Sequence, residues 1–250
     1  MPDRRTHRGP HPEDTRLFTA ELRPALRKAT ADLCWLFSQG YAHESSLKLV
    51  GDRYGLVARQ RVAVARCACS DSDAARRCEH QVGAEKLRQA TLSLDGYNVL
   101  TTIEAALAGG VILVGREGAY RDMASMHGSY RKVAETLPAL EILGQVIEAL
   151  GVNQCFWYLD RPVSNSGRLK KMIEQIAAAH GWSWQVELVP NPDVILAALA
   201  PPFLVASADS VVLDRCPAWF NLAGETILGQ IHDANVLDLG SLGSAEVSAI

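Results

Sequence analysis

The chain has 250 residues, 48% of them hydrophobic, and a formal net charge of −3. It can bury a sizeable core as one large domain or two small ones. No stretch approaches the roughly 18 consecutive apolar residues of a membrane span, and no apolar run follows the polar segment Met1–Arg8, so neither a span nor a secretory leader is expected. The six cysteines, Cys34, Cys67, Cys69, Cys78, Cys155 and Cys216, lack a framework spacing, which points to a reduced, cytoplasmic setting. Charge is uneven: residues 1–90 hold 16 basic and 11 acidic side chains, and residues 91–250 hold 9 and 17. A basic front half suits a polyanion and an acidic back half suits cations, with an ordinary solvated surface as the alternative.

In chain order, residues 1–13 read as a polar arm. Helical periodicity runs from Pro12 to Phe37, carried by Leu22, Leu26, Leu33 and Leu36, with Pro24 as a point where it splits and Gly40 as its end. Two short helices follow around Gly55. They outline either a helix-turn-helix, with Arg53, Arg59, Arg61 and Arg66 reaching phosphates, or a small bundle with exposed arginines. Residues 1–90 thus form a small all-α N-terminal domain. From Thr91 the texture changes. Strands are expected at 91–94, 111–114, 154–159, 184–189 and 203–206, with a last short one at Trp219-Phe. Helices are expected after Asp95 and at 138–151, 166–180 and 192–200. Alternating strands and helices, several strands apolar throughout, describe an α/β domain over 91–229 with a mostly parallel sheet covered on both faces. Residues 230–250 read as a disordered tail.

Parallel sheets collect their ligands at the carboxyl ends of the strands. Three strands there end in aspartate: Leu92-Ser-Leu-Asp95, Trp157-Tyr-Leu-Asp160 and Val205-Ala-Ser-Ala-Asp209. Asp214 follows about one and a half helical turns later. One such aspartate is ordinarily a helix cap. Three in the same topological position repel one another unless a cation neutralises them, and hard oxygen ligands suit Mg²⁺ or Mn²⁺. Ser164, Asn165, Ser166 and Gly167 lead into a helix whose free N–H groups suit an anion, flanked by Arg161 and Arg168. The alternative there is an N-cap with two surface arginines. Residues 115–131 make a long polar loop in which Arg116, Arg121, His127, Tyr130 and Arg131 could meet a nucleic-acid backbone, and Asp122 could add a carboxylate. Cys67-x-Cys69 with Cys78 and His80 hints at zinc, but the spacing is not that of a finger or ribbon.

The segment Leu94-Asp-Gly-Tyr-Asn-Val-Leu resembles the opening strand of the NYN branch of PIN-like nucleases. Ser207-Ala-Asp-Ser-Val-Val-Leu-Asp resembles that family's later Ser/Thr-x-Asp turn. The resemblance covers residues 91–229. It implies a three-layer, Rossmann-like α/β fold and a Mg²⁺- or Mn²⁺-dependent ribonuclease in which Asp95 and Asp209 match the metal ligands best. Asp214 lies further along than the family's second acid, and the Arg161-Pro-Val-Ser-Asn-Ser loop after Asp160 departs from the pattern. Asn98 is expected to orient Asp95 or water. Leu49-Val-Gly-Asp-Arg-Tyr and Arg161-Pro-Val-Ser-Asn-Ser-Gly-Arg also resemble an uncharacterised prokaryotic family, which implies no activity.

The expectation is therefore a metal-dependent enzyme cleaving RNA. Asp95, Asp160, Asp209 and Asp214 hold the metal; Asn98, Arg116, Arg131, Arg161, Ser164, Asn165, Ser166 and Arg168 hold the substrate; the helical domain adds RNA affinity or self-association. Three rivals stand beside it. One is a non-catalytic nucleic-acid-binding protein on the same fold. Another is a phosphohydrolase with Asp95 as nucleophile, which would place a second acid where Tyr97 stands. The third is a structural module in which the aspartates are all helix caps.

Overall fold

The computed structural model describes residues 9–123 and 130–241. His127, and the last residues of the expected tail, 242–250, lie outside them. The first region is helical: α1 (Asp14–Leu17), α2 (Arg23–Ser38), α3 (His43–Arg53), α4 (Ala58–Cys67) and α5 (Asp71–His80). Pro24 opens α2 rather than splitting a longer helix, because proline fits the first turn where its missing N–H costs nothing. Gly40 and Gly55 take φ of +79° and +60° at the ends of α2 and α3, a conformation glycine adopts without strain. Leu26, Leu33, Leu36, Val50, Ala63 and Val64 form the core of this bundle, which continues into Leu113 and Leu237 of the second region.

That continuity decides between the two readings of the arginines. Helix α4, the second helix of the outline that a helix-turn-helix would use for recognition, packs on β2 (Ile112–Val114) instead of standing free. Arg59 forms a fork with Asp14 at 2.5 and 2.8 Å, where the Asp14 side chain is only 2% exposed. Arg61 pairs with Asp52 at 2.8 Å and Arg53 lies 3.7 Å from Asp32. Arg66 donates to the Asp122 carbonyl at 2.5 Å. The helical region is a bundle docked on its neighbour.

The second region is α/β. After β1 (Thr91–Asp95) come α6 (Gly96–Leu107), β2, β3 (Tyr120–Asp122), α7 (Thr136–Ala149), β4 (Gln154–Asp160), α8 (Ser166–His180), β5 (Trp184–Val189), α9 (Pro192–Ala198), β6 (Phe203–Ala206), α10 (Ser210–Leu213), α11 (Leu222–Gln230) and β7 (Val236–Asp238). Four strands make a parallel sheet in the order β5-β4-β1-β6. A second sheet, β3-β2-β7, departs from the sequence expectation: β3 arises inside the expected loop and runs antiparallel to β2, and β7 arises inside the expected tail and runs parallel to it. Trp219 makes isolated bridges to Gln81 and Val205 instead of a strand.

Strand parity decides which side chains share a face of the parallel sheet. Leu92, Leu94, Cys155, Trp157 and Leu159 point into the core shared with α6, α7 and α8. Residues of the other parity point to the opposite face, where Val205 packs with Leu196, Val212 and Leu213 of α9 and α10. The register pairs Asp95 with Tyr158, and Asp160 lies two residues beyond Tyr158. Asp95 and Asp160 therefore belong to the face that α9 and α10 cover. Helix α6 starts directly at Gly96, where a Cβ would stand 2.9 Å from the Tyr158 carbonyl oxygen and 2.6 Å from Leu159 Cδ2. Gly96→Ala should therefore cost roughly 1–3 kcal/mol through overpacking against a backbone atom. Urea unfolding measures this, and an unchanged midpoint would show that the strand yields instead.

Candidate functional site

Strand order reverses between β1 and β6: the chain builds outward from β1 through β4 to β5, then crosses by α9 to lay β6 on the other side of β1. In open α/β sheets this crevice is where ligands sit. Asp95 closes β1 and Asp209 follows β6, so the two flank that point. Both also cap helices, as the plainest reading of each aspartate expects. Asp95 Oδ1 accepts from the Asn98 amide at 3.4 Å, and Asp209 Oδ1 from the Val211 amide at 2.7 Å. Ser207 joins them, since its hydroxyl donates to Asp95 Oδ2 at 2.9 Å and accepts from the Asp209 amide at 3.0 Å. The Asn98 side chain, expected to orient Asp95 or water, holds the Ala208 amide instead, through Oδ1 at 2.8 Å, and it is the Asn98 backbone amide that reaches Asp95.

Asp95 is buried, and burial pushes its carboxyl up to about 7; the Ser207 hydroxyl works against this, and the charges of Asp193 and Asp209 add to it. Burial likewise raises the carboxyl of Asp160. Asp193 is raised by burial first, then by the charges of Asp209 and Asp160. Asp193 is the member that the strand-ending pattern missed. Strand β5 ends at Val189, and the turn Pro190-Asn-Pro delays the aspartate into the first turn of α9, which Asn191 caps at 2.9 Å. The signal was available: a strand, a proline turn, then an acid opening a helix.

Asp214 goes elsewhere. Its Oδ1 accepts from Arg77 Nε at 2.7 Å and from Arg76 Nη2 at 3.0 Å, both on α5. It docks the helical region and is corrected from the ligand set, because the turn of α10 carries it away from the strand ends. Arg116 is likewise engaged, with Nη1 on the Cys69 carbonyl at 3.1 Å and Nη2 on Asp71 at 2.5 Å. Of the other expected substrate residues, Asn98 stands at Asp95, and the segment at Tyr130 meets the loop holding Arg161 to Arg168. The Tyr130 amide donates to the Ser164 carbonyl at 3.1 Å and Asn165 Nδ2 donates to the Tyr130 carbonyl at 2.9 Å, which brings Arg131 beside the loop from Arg161 to Arg168. Arg131, Arg161 and Arg168 are exposed. Asn165 occupies the N-cap position of α8 at φ +70° without a side-chain cap, and Ser166 Oγ donates to the Arg161 carbonyl at 3.4 Å. All six cysteines are free; Cys69 Sγ faces Glu117 Oε2 at 3.8 Å, and His80 Nδ1 contacts the Cys216 carbonyl at 3.0 Å.

A cleft of about 620 Å³ opens between the two regions, lined by Asp95, Asn98 and Asp209 on one side and by Leu47, Val62 and Arg66 of the helical region on the other. Its size is that of a ligand pocket, roughly 300–1,000 Å³. Among the described residues, no three His, Cys, Asp or Glu side chains converge closely enough to enclose a metal ion. Also among them, no helix is long and apolar enough to cross a membrane.

The Asp95 environment has a stability consequence. Its carboxyl ionises at about 7 in the fold against about 3.9 in the unfolded chain. The fold keeps a proton that the unfolded chain has released, so stability falls as pH rises from about 4 to about 7 and then levels, by at most about 4 kcal/mol. Asp160 and Asp193 act in the same direction. Asp95→Asn should flatten most of this slope and exceed the wild type in stability at about pH 8, which urea unfolding across the window measures. A slope equal to wild type would remove Asp95 as its source.

Comparison with known proteins adds kinship without activity. No solved structure matches the chain. A relative from Methanocaldococcus jannaschii, "Uncharacterized protein MJ0935", is 28% identical over 189 residues, 76% of this chain and 89% of that protein. Residues 25–79, within the helical region, match "Protein of unknown function (DUF434)". Residues 84–225, more than half of the chain and most of the α/β region, match "Domain of unknown function (DUF5616)", and the protein belongs to that family.

Proposed function

We propose that the protein is a divalent-metal-dependent nuclease with a PIN-like α/β domain, acting on RNA. The observation that supports this most is the set Asp95, Asp160, Asp193 and Asp209. These four carboxylates lie at the carboxyl edge of a parallel sheet; burial raises the proton affinity of Asp95, Asp160 and Asp193, neighbouring carboxylate charge adds to it at Asp95 and Asp193, and no basic side chain is among the causes. The donors are all hard oxygens, which suits Mg²⁺ or Mn²⁺ and not zinc. Among the described residues no three such side chains enclose an ion, and Mg²⁺ would ask for only one or two carboxylates, since it keeps several waters. A bound ion would offset the carboxylate charge and acidify a coordinated water.

The chain's own residues supply the rest. Ser207 and the Asn98 amide hold the two oxygens of Asp95, so its position is defined in advance. Asp209 is held through Oδ1 by α10 and keeps Oδ2 without a protein partner among the described residues. Asp193, raised and with no hydrogen-bonded partner on its carboxylate among the described residues, is the group we assign to accept the proton of the attacking water. Arg131, Arg161 and Arg168 supply phosphate contacts beside Asp160, and the helical region roofs the cleft over Asp95 and Asp209. The preference for RNA rests on the likeness of Leu94-Asp-Gly-Tyr-Asn to the NYN branch.

A nucleic-acid binder without turnover is the second reading. It is favoured by the lack, among the described residues, of three ligating side chains around one point. Calorimetric Mn²⁺ titration with single-stranded RNA cleavage, on wild type and Asp95→Asn/Asp209→Asn, separates the two. Binding and cleavage both lost in the variant support the nuclease. Binding without wild-type cleavage supports the second reading, and no wild-type binding defeats the metal site and leaves the aspartates as helix caps. Arg161→Ala/Arg168→Ala should raise the KM for RNA about tenfold or more with little change in kcat, since contacts made equally in ground and transition states affect KM. A loss confined to kcat would place those arginines outside substrate binding.

A further inference from the structure

Three charged side chains are buried between the helical region and the carboxylate turn. The side chains of Arg77 and Glu117 are 5% and 1% exposed, and that of Arg121 is 10%. Arg77 Nη1 lies 3.5 Å from Glu117 Oε1, and Glu117 Oε1 also accepts from Arg121 Nη2. Arg121 Nε then donates to the Ala208 carbonyl at 2.7 Å. The Ala208 amide is held on its other side by Asn98 Oδ1 at 2.8 Å. Ala208 sits between Ser207, whose hydroxyl donates to Asp95, and Asp209, whose amide donates to the Ser207 hydroxyl. At the far end, Trp219 Nε1 donates to the Arg77 carbonyl at 2.7 Å, so Arg77 is itself held.

Burying such a chain is expensive. Each desolvated ion costs several kcal/mol, and packed apolar side chains of like volume are often at least as stable. A guanidinium does what they cannot: one edge grips a carboxylate while Nε reaches a carbonyl in a fixed plane. The carbonyl it reaches belongs to a turn that has left the sheet ladder after β6, where the backbone has no strand partner to define it.

We propose that Arg121 is a positioning residue for the carboxylate site. Through the Ala208 carbonyl it fixes the Ser207–Asp209 turn against Asp95, and Arg77 of the helical region fixes Arg121 through Glu117. The helical region is then part of the working site and not an appended binding module. The role in metal binding rests on the nuclease reading; the role in ordering the turn does not.

The test uses the full chain with Arg121→Met/Glu117→Gln, which removes both inner charges together and leaves no new buried ion, and Arg121→Lys beside it. Amide hydrogen exchange at Ala208 and Asp209 reports the turn without any metal, and Mn²⁺ calorimetry reports the site. The expected result is exchange at Ala208 and Asp209 about tenfold faster in the double variant, with the amides of Leu94 and Trp157 in the sheet as protected as in wild type. Mn²⁺ affinity should fall about tenfold or more, the usual effect of losing a group that orients a ligand. Arg121→Lys should recover part of the protection, since an ammonium still donates to the carbonyl but cannot fork. Unchanged exchange at Ala208 and Asp209 overturns the proposal, as does a uniform loss across the sheet. A wild type that binds no Mn²⁺ defeats the nuclease reading while the exchange result still decides the positioning.

Discussion

A carboxylate with little access to water has to be held by something else, and the fold around Asp95 is arranged to hold it. Asp95 ends a central parallel strand, beside the reversal of strand order, on the face that α9 and α10 cover. Two donors reach it, the Ser207 hydroxyl and the Asn98 amide, while two of its charged neighbours are carboxylates. Hydrogen bonding lowers its proton affinity, burial raises it, and burial is the larger effect. A site of this kind weakens the fold when ionised, and such strain concentrates where chemistry is done. A cation that relieves it would stabilise fold and function together.

The charge asymmetry of the chain acquires its meaning between the two regions. Among the described residues, several arginines of the basic front half are turned to the second region rather than to solvent. Arg66 meets Asp122, Arg76 and Arg77 meet Asp214, Arg77 meets Glu117, and Arg27 donates to the Asp238 carbonyl. Basic helices and an acidic sheet domain are the two halves of one interface. The shared apolar cluster, running from Leu26 and Val64 to Leu113 and Leu237, closes it. The cleft over Asp95 is a product of that docking, with its roof and floor drawn from opposite ends of the sequence. Arg131, Arg161 and Arg168 are exposed, and Arg161, which follows Asp160, donates to the Leu188 carbonyl at 2.7 Å.

Most of the ladder of elements was legible because each is set by near neighbours. Thr91–Asp95, Gln154–Asp160, Trp184–Val189 and Phe203–Ala206 are apolar runs bounded by turns, and Ser166–His180 is an amphipathic run closed by glycine. Of the second sheet only β2 was legible, as the apolar run at 111–114. Strands β3 and β7 are three residues each, too short to carry a period, and each exists only because β2 pairs with it. The same contrast holds within the site. Asp95, Asp160 and Asp209 could be named because a strand end places them. Asp193 was hidden by a proline turn that shifts the acid past the strand end, and Asp214 was included because separation along the chain does not report direction in space.

The sequence by itself determined the alternation of strands and helices, the helical character of the first ninety residues, and the aspartates at strand ends, since propensity, period and turn chemistry act over a few residues. The tertiary structure alone decided the strand order that sets Asp95 beside Asp209, and the crossing of α9 that brings in Asp193. It also decided the ion pairs that take Asp214 and Arg116 out of the site, and the buried path from Arg77 through Glu117 and Arg121 to Ala208. Most of these depend on groups far apart along the chain meeting with defined geometry, as Arg121 meets the Ala208 carbonyl 87 residues away. No local pattern encodes such a meeting, because its energy comes from burial and charge pairing that exist only once the two regions have docked.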